Sequence, residues 1–437
     1  MKTLIAFIHH RLPSLVVILM CSTAGLLTRL VGAEIISQNQ TIAENDLTYD
    51  GADLIVSNAT VTINGRHAFN SLLLTNKAVV THAPCTLTET HKLDLVVTNK
   101  LMVDATSQID VSRQGYRPGY TSGNTVVGGA GFRVGGSYGG IGSSAPVTAA
   151  YGDFAEVNDW GGGGSSQPGG GLVQIKAGTM QLDGAIAADG GSENNGNGGG
   201  AGGGILLRTT TLQGSGSMHA TGGKGGWASG GGGRIAVYAT DLSGFNTNQI
   251  SAPGGYVVGA GGGAGTVYLR LSGAPVGTII IDNGNQPNQP IGWTPLGRTE
   301  TNLLVLAEPV VFRGQRTLVT LIRDDMDLLV NADIRIEEGA SFRSAGATLQ
   351  KDDGRFLMST GTQFDFGGTL NSDSALELFG GIMSLGAVQV PNLIIHSNAT
   401  LSATVLNRPR RLEVVVSNHI LVELGGAIDV SKKGYLR

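Results

Sequence analysis

The chain is 437 residues long, with 70 glycines, 14% charged and 5% aromatic residues and a formal net charge of −4. So even a balance excludes a basic footprint for nucleic acid and a polybasic patch for a membrane surface. Because 45 of the glycines fall between Gly128 and Gly265, that tract cannot build an ordinary aromatic-rich core, while abundant Val, Ile, Leu and Thr elsewhere argue against disorder throughout.

Residues 1–33 read as a signal peptide: Lys2 and Arg11 in a charged start, an apolar stretch from Leu12 to Leu27, then Val31-Gly32-Ala33 before a cut. The mature chain then begins near Glu34. No later stretch reaches about 18 consecutive apolar residues, so no membrane span is expected after the leader. Of the two cysteines, Cys21 lies in the leader. The mature protein is therefore expected to rely on its backbone ladder and core rather than on a disulfide, with Cys85 as a small apolar filler.

Residues 34–112 read as N-terminal coils of a parallel β-helix. The segments Leu54–Ile63, Leu72–Thr81 and Leu95–Val103 align on Asn58, Asn76 and Asn99, and apolar residues alternate with small polar ones within them. Asparagine readily takes a positive φ at a tight bend. Asn58, Asn76 and Asn99, with Asn398 and Asn418 near the end, are expected to stack into a side-chain amide ladder along the axis.

Residues 113–270 form a glycine-rich part on a 32-residue beat: Ala187–Gly191, His219–Gly223 and Ser251–Gly255 each precede a glycine run and a short apolar strand. A unit of about thirty residues cannot bury an apolar face alone and must stack on its neighbours, which is the mark of a solenoid. The glycine runs are expected to be ordered legs, polyproline-II-like, that pass close together because no Cβ intervenes. Residues 271–411 return to ordinary strands, with a proline- and asparagine-rich break near 283–297 that includes Pro287 and Pro290. Helical spacing is absent outside the leader, so the fold class is all-β, a parallel β-helix with glycine-rich legs inserted.

A longer repeat closes the chain. Leu93–Tyr116 returns as Leu412–Tyr435, offset by 319 residues without a gap and identical at 11 of 24 positions. Residues 412–437 therefore read as the start of a second long repeat, truncated, as in a fragment of a longer array.

Ile109–Tyr120, Gly135–Gly140, Ala149–Phe154 and the glycine runs before Leu172–Ala177, Ile205–Thr210 and Arg234–Ala239 together resemble the glycine-rich repeat proteins of the bacterial cell surface. That resemblance covers roughly residues 93–282 and 412–437. It implies a right-handed β-helix and an extracellular structural or adhesive role, and it transfers no catalytic residues.

Candidate chemistry is thin. The acidic clusters Asp324, Asp325, Asp327 and Asp352, Asp353 sit about one coil apart, the arrangement a polysaccharide-acting enzyme would need, but solvated turn charges are the plainer reading. The Gly-x-Ser-x-Gly match at Gly135–Gly139 lacks a leading apolar strand, and no histidine pair has metal spacing. Tyr116, Tyr138, Trp160 and Trp227 lie in or beside the glycine segments as candidate glycan contacts or as covers for glycine backbone. The expected function is an exported, non-catalytic β-solenoid of the cell surface or matrix, structural or adhesive and without a cofactor. Its expected partners are a polysaccharide or other surface polymer and a second copy end to end; the alternative is a polysaccharide lyase or hydrolase using Asp325 and Asp353.

Overall fold

The computed structural model describes residues 32–145, 150–194, 196–256, 260–285, 292–297, 301–406, 411–431 and 433. Residues 1–31 of the expected leader, Pro287 and Pro290 of the expected break and Tyr435 of the long repeat lie outside the described residues. The chain is almost wholly β, 47% strand against 1% helix, in large parallel sheets. Among the described residues no helix is long and apolar enough to cross a membrane.

Alternation builds the strands. Asp53–Ser57 buries Leu54 and Val56, and Ser71–Thr75 buries Leu72 and Leu74, because successive side chains leave a strand on opposite faces. Parallel register then sets like on like: Leu54 lies beside Leu72, which lies beside Leu101, and Val56 beside Leu74, which lies beside Val103. Each such side chain contributes about 1.5–3 kcal/mol by leaving water.

The spacing of the third N-terminal unit differs from the expectation. Leu93–Val103 is long enough to pair with both Gly65–Phe69 and Ser71–Thr75, since the loop after Thr81 adds residues before it. Asn99 consequently lies opposite Asn70, whose carbonyl accepts its N–H at 2.9 Å, and not opposite Asn76.

In the glycine-rich part the pairing follows the 32-residue beat. Val173 pairs with Ile205 and Ile235 with Val267, while Ala185–Ala187 pairs with Ser217–His219. Between the short and the long strand of each unit the chain runs out and back as glycine legs. Along one return leg, Gly200 and Gly203 donate to Gly191 and Ala188, Gly199 and Gly202 to Ala228 and Gly231, and Ala201 and Gly204 to Gly162 and Gly171. Bond directions that rotate through three neighbours and recur every third residue have the period of a polyproline II helix. An isolated helix of that kind leaves its backbone to water; here the neighbouring legs supply the partners. A Cβ at Gly170 would collide with the Ala188 carbonyl oxygen, and one at Gly202 with that of Ala220, so side chains are excluded by contact between main chains.

The strands that leave these legs are buried on both faces, as parallel strands between two layers must be. Val173, Ile175, Ile205, Leu207, Ile235, Val237 and Val267 belong to a core that begins at Ile36. Leu172, Leu206, Ala236 and Tyr268 belong to a second core that runs to Leu401. Parallel order breaks at Thr266–Leu271, which meets Thr278–Asp282 antiparallel. Beyond it the units shorten: Val310 pairs with Ile334, Ile334 with Phe356 and Gln363 with Ile382. Phe312, Phe342 and Phe364 stack along that core with ring centroids 6.2 and 4.7 Å apart.

The long repeat is repeated in structure. Glu413–Val422 pairs with Gly381–Ile395 and skips one residue between Val416 and His419, as Leu93–Val103 does between Val97 and Lys100 against Leu172–Leu182. Asn99 and Asn418 occupy equivalent bulges. The first copy is paired on both edges; among the described residues the second is paired on one.

Candidate functional site

Three of the four aromatic candidates support the glycine legs from within. Tyr138 is fully buried and Tyr116 3% exposed, so neither ring offers a face to a glycan. The Tyr116 hydroxyl donates to Asp159 at 2.8 Å, Ser122 donates to the other oxygen of the same carboxylate, and the Trp160 ring N–H donates to the His91 carbonyl at 2.7 Å. Burial pushes the Asp159 carboxyl up, against the hydroxyls of Tyr116 and Ser122, which pull it down. Arg234, also buried, donates to the Tyr151 carbonyl at 2.8 and 3.0 Å and to the Thr266 hydroxyl at 3.2 Å. This polar cluster ties the loop 150–160 to two strand starts.

Trp227 differs. It is 57% exposed, and the Arg133 guanidinium lies 3.9 Å from its ring centroid and 5.0 Å from that of Phe132, itself 73% exposed. Phe132 and Arg133 carry no motif, so sequence reading had no signal for them.

The five asparagines do not bond to one another as a ladder. All are exposed. Asn58, Asn76 and Asn398 have φ of 52°, 54° and 64°, while Asn99 and Asn418 sit in bulged strands. The Asn76 amide donates to Ser57 and the Asn99 amide to Asn70. Links between units run from side chain to main chain instead. Asp104 accepts from the Asn76 N–H, Asp183 from that of Ser215 and Asp189 from that of Thr221. An ionised carboxylate on a backbone N–H is a stronger link than one between two amides.

Four of the five acids named for an enzyme are engaged in local or cross-strand bonds. Asp325 pairs with Arg323, Asp327 accepts from the Thr348 N–H, Asp352 from Gln350 and Asp353 from the Gly354 N–H. No cluster of metal-ligating side chains occurs among the described residues. The Cys85 thiol is buried, and burial pushes it up to about 11.

A cleft that gathers charge was not foreseen. It measures about 400 Å³ and is lined by Arg316, Arg343, Gln363 and Asp365 over Leu318 and Phe342. Three consecutive strands bring it together: Arg343 pairs with Asp365, and Asp365 with Ser384. Asp365 is 2% exposed, and the Thr404 hydroxyl donates to it at 2.6 Å. Burial raises its carboxyl above the usual range, against the pull of Thr404 and Arg343. Arg316 and Arg343 are exposed, and neither forms an ion pair among the described residues. Arg316 holds φ at 66°, a strained value for such a side chain.

Compared with protein families, curated proteins and solved structures, the chain finds no match.

Proposed function

We propose that this chain is an exported, non-catalytic β-solenoid of the cell surface or extracellular matrix that serves as a structural or adhesive rod. The observation that carries the reading is parallel pairing from unit to unit between Glu34 and Ile428, with an antiparallel joint between Thr266–Leu271 and Thr278–Asp282. Such a chain spends its side chains on stacking: apolar residues fill columns, and acids cap the turns of neighbouring units. Polar side chains such as Ser57 and Thr75 stand outside in register from strand to strand, at roughly 4.8 Å steps suited to many weak contacts with a repetitive polymer. The exposed Trp227–Arg133–Phe132 cluster adds a ring face of the kind that meets sugars.

Among the described residues Glu413–Val422 is paired on one edge, and because unpaired N–H and C=O groups recruit strands this supports association with a second copy. The reading is tested by small-angle scattering and by adsorption of purified 34–437 to a panel of neutral and acidic polysaccharides. A rod-like profile with retention on at least one polymer is expected. A compact profile, or adsorption to none, overturns it.

A further inference from the structure

The cleft at Arg316 and Arg343 combines features that turn stacking does not require. Several arginines of this chain form ion pairs: Arg208 with Glu156, Arg313 with Asp282, Arg323 with Asp325 and Arg355 with Asp333. The two in the cleft have no such partner among the described residues, although they stand about one unit apart and line the same hollow. From Arg343 a cross-strand row runs along the stack through Asp365, Ser384 and Ser402. Ser384 is 1% exposed, and its hydroxyl has no hydrogen-bond partner among the described residues.

The chemistry of the lining narrows the ligand. Two unpaired guanidiniums favour a carboxylate, which they can grip with two parallel bonds. A bare anion would make no use of Gln363 and would lie beside the Asp365 carboxyl. A ligand that carries one carboxylate and several hydroxyls satisfies both ends. Leu318 and Val405, both partly exposed, give the hollow an apolar margin against which the C–H face of a sugar ring can lie, and about 400 Å³ is within the range of small-molecule sites.

We propose that this cleft binds a uronic acid residue of an acidic polysaccharide, with Arg316 and Arg343 on its carboxylate and Asp365, Gln363 and Ser341 on its hydroxyls. The inference rests on the adhesive reading and names its polymer. Binding is non-covalent, and no bond of the polymer is broken.

Retention of the purified chain on immobilised polygalacturonate, dextran and dextran sulfate tests it, with the variants Arg343→Ala, Arg316→Ala and Arg335→Ala. Arg335 is exposed on the neighbouring strand Ile334–Ile336 and does not line the cleft, so it reports loss of one positive charge alone. Retention on polygalacturonate is expected to weaken about tenfold for each cleft variant, the loss of a charged hydrogen-bonded contact, and less than twofold for Arg335→Ala. Equal retention of all variants, an equal loss in Arg335→Ala, retention on dextran sulfate matching that on polygalacturonate, or no retention on polygalacturonate would each overturn the cleft assignment. Where neutral dextran or another polymer still retains the chain, the adhesive reading survives that failure; where none does, both fall. Circular dichroism that matches the parent for the arginine variants keeps misfolding out of the comparison.

Discussion

One imidazole joins the N-terminal units to the first strand after the glycine legs. His82 is 1% exposed; its Nδ1 bonds the Ala83 carbonyl at 2.7 Å, and its Nε2 accepts the Leu172 N–H at 3.1 Å. That acceptor requires the neutral ring, and burial holds the group down from 6.5 to about 4. The unfolded chain therefore takes up the proton first as pH falls. The contribution of His82 is complete above pH 6.5 and declines by about 1.4 kcal/mol per unit towards pH 4. Urea midpoints measured between pH 7 and 4.5 should fall in the parent and fall less steeply in His82→Gln, whose amide supplies a donor and an acceptor without titrating. From sequence His82 was one of several scattered histidines, because its partner lies ninety residues away. Glycine positions divide just as sharply. Gly202→Ala should cost about 3–5 kcal/mol, since main chain must move to admit the methyl group, whereas Gly131 has open space around it and Gly131→Ala should shift the midpoint by less than about 0.5 kcal/mol.

At the scale of elements, strands and legs were legible for different reasons. Period-two alternation marked Leu54, Val56, Leu72 and Leu74 as inward, and the 32-residue beat gave the register of Val173 on Ile205. The N-terminal spacing misled, because the loop after Thr81 shifts Leu93–Val103 along the stack and sets Asn99 against Asn70. Turn caps were also missed. Asp104 accepts from the hydroxyls of Thr75 and Thr106 as well as from two backbone N–H groups, and an acid followed by Thr or Ser reads in sequence only as a polar turn. Asp104→Ala leaves those donors to water and should lower stability by about 1–3 kcal/mol in urea titration. A change below a few tenths would show that solvent replaces the carboxylate without loss.

Across the whole molecule the two apolar cores share the strands from Leu172 to Leu271, one face each. Neither core can lose those strands without exposing the other, so calorimetry of the chain should show one main unfolding endotherm; two well-separated ones would show that the cores are independent. The cleft was illegible because its lining comes from four stretches between Arg316 and Val405, no two of which form a motif. Ile420, Val422, Ile428 and Val430 are 42–50% exposed, whereas their counterparts Leu101, Val103, Ile109 and Val111 are fully covered. Sedimentation should show concentration-dependent association that Ile420→Lys with Val422→Lys abolishes. The glycine legs carry a last thermodynamic consequence. Their interior is amide rather than hydrocarbon, and hydrating amides on unfolding lowers heat capacity where hydrating apolar groups raises it. This part should therefore contribute less than the usual ~12–15 cal/mol/K per residue, flatten the stability curve and keep the protein folded in the cold, where chains held together by oil-like interiors weaken.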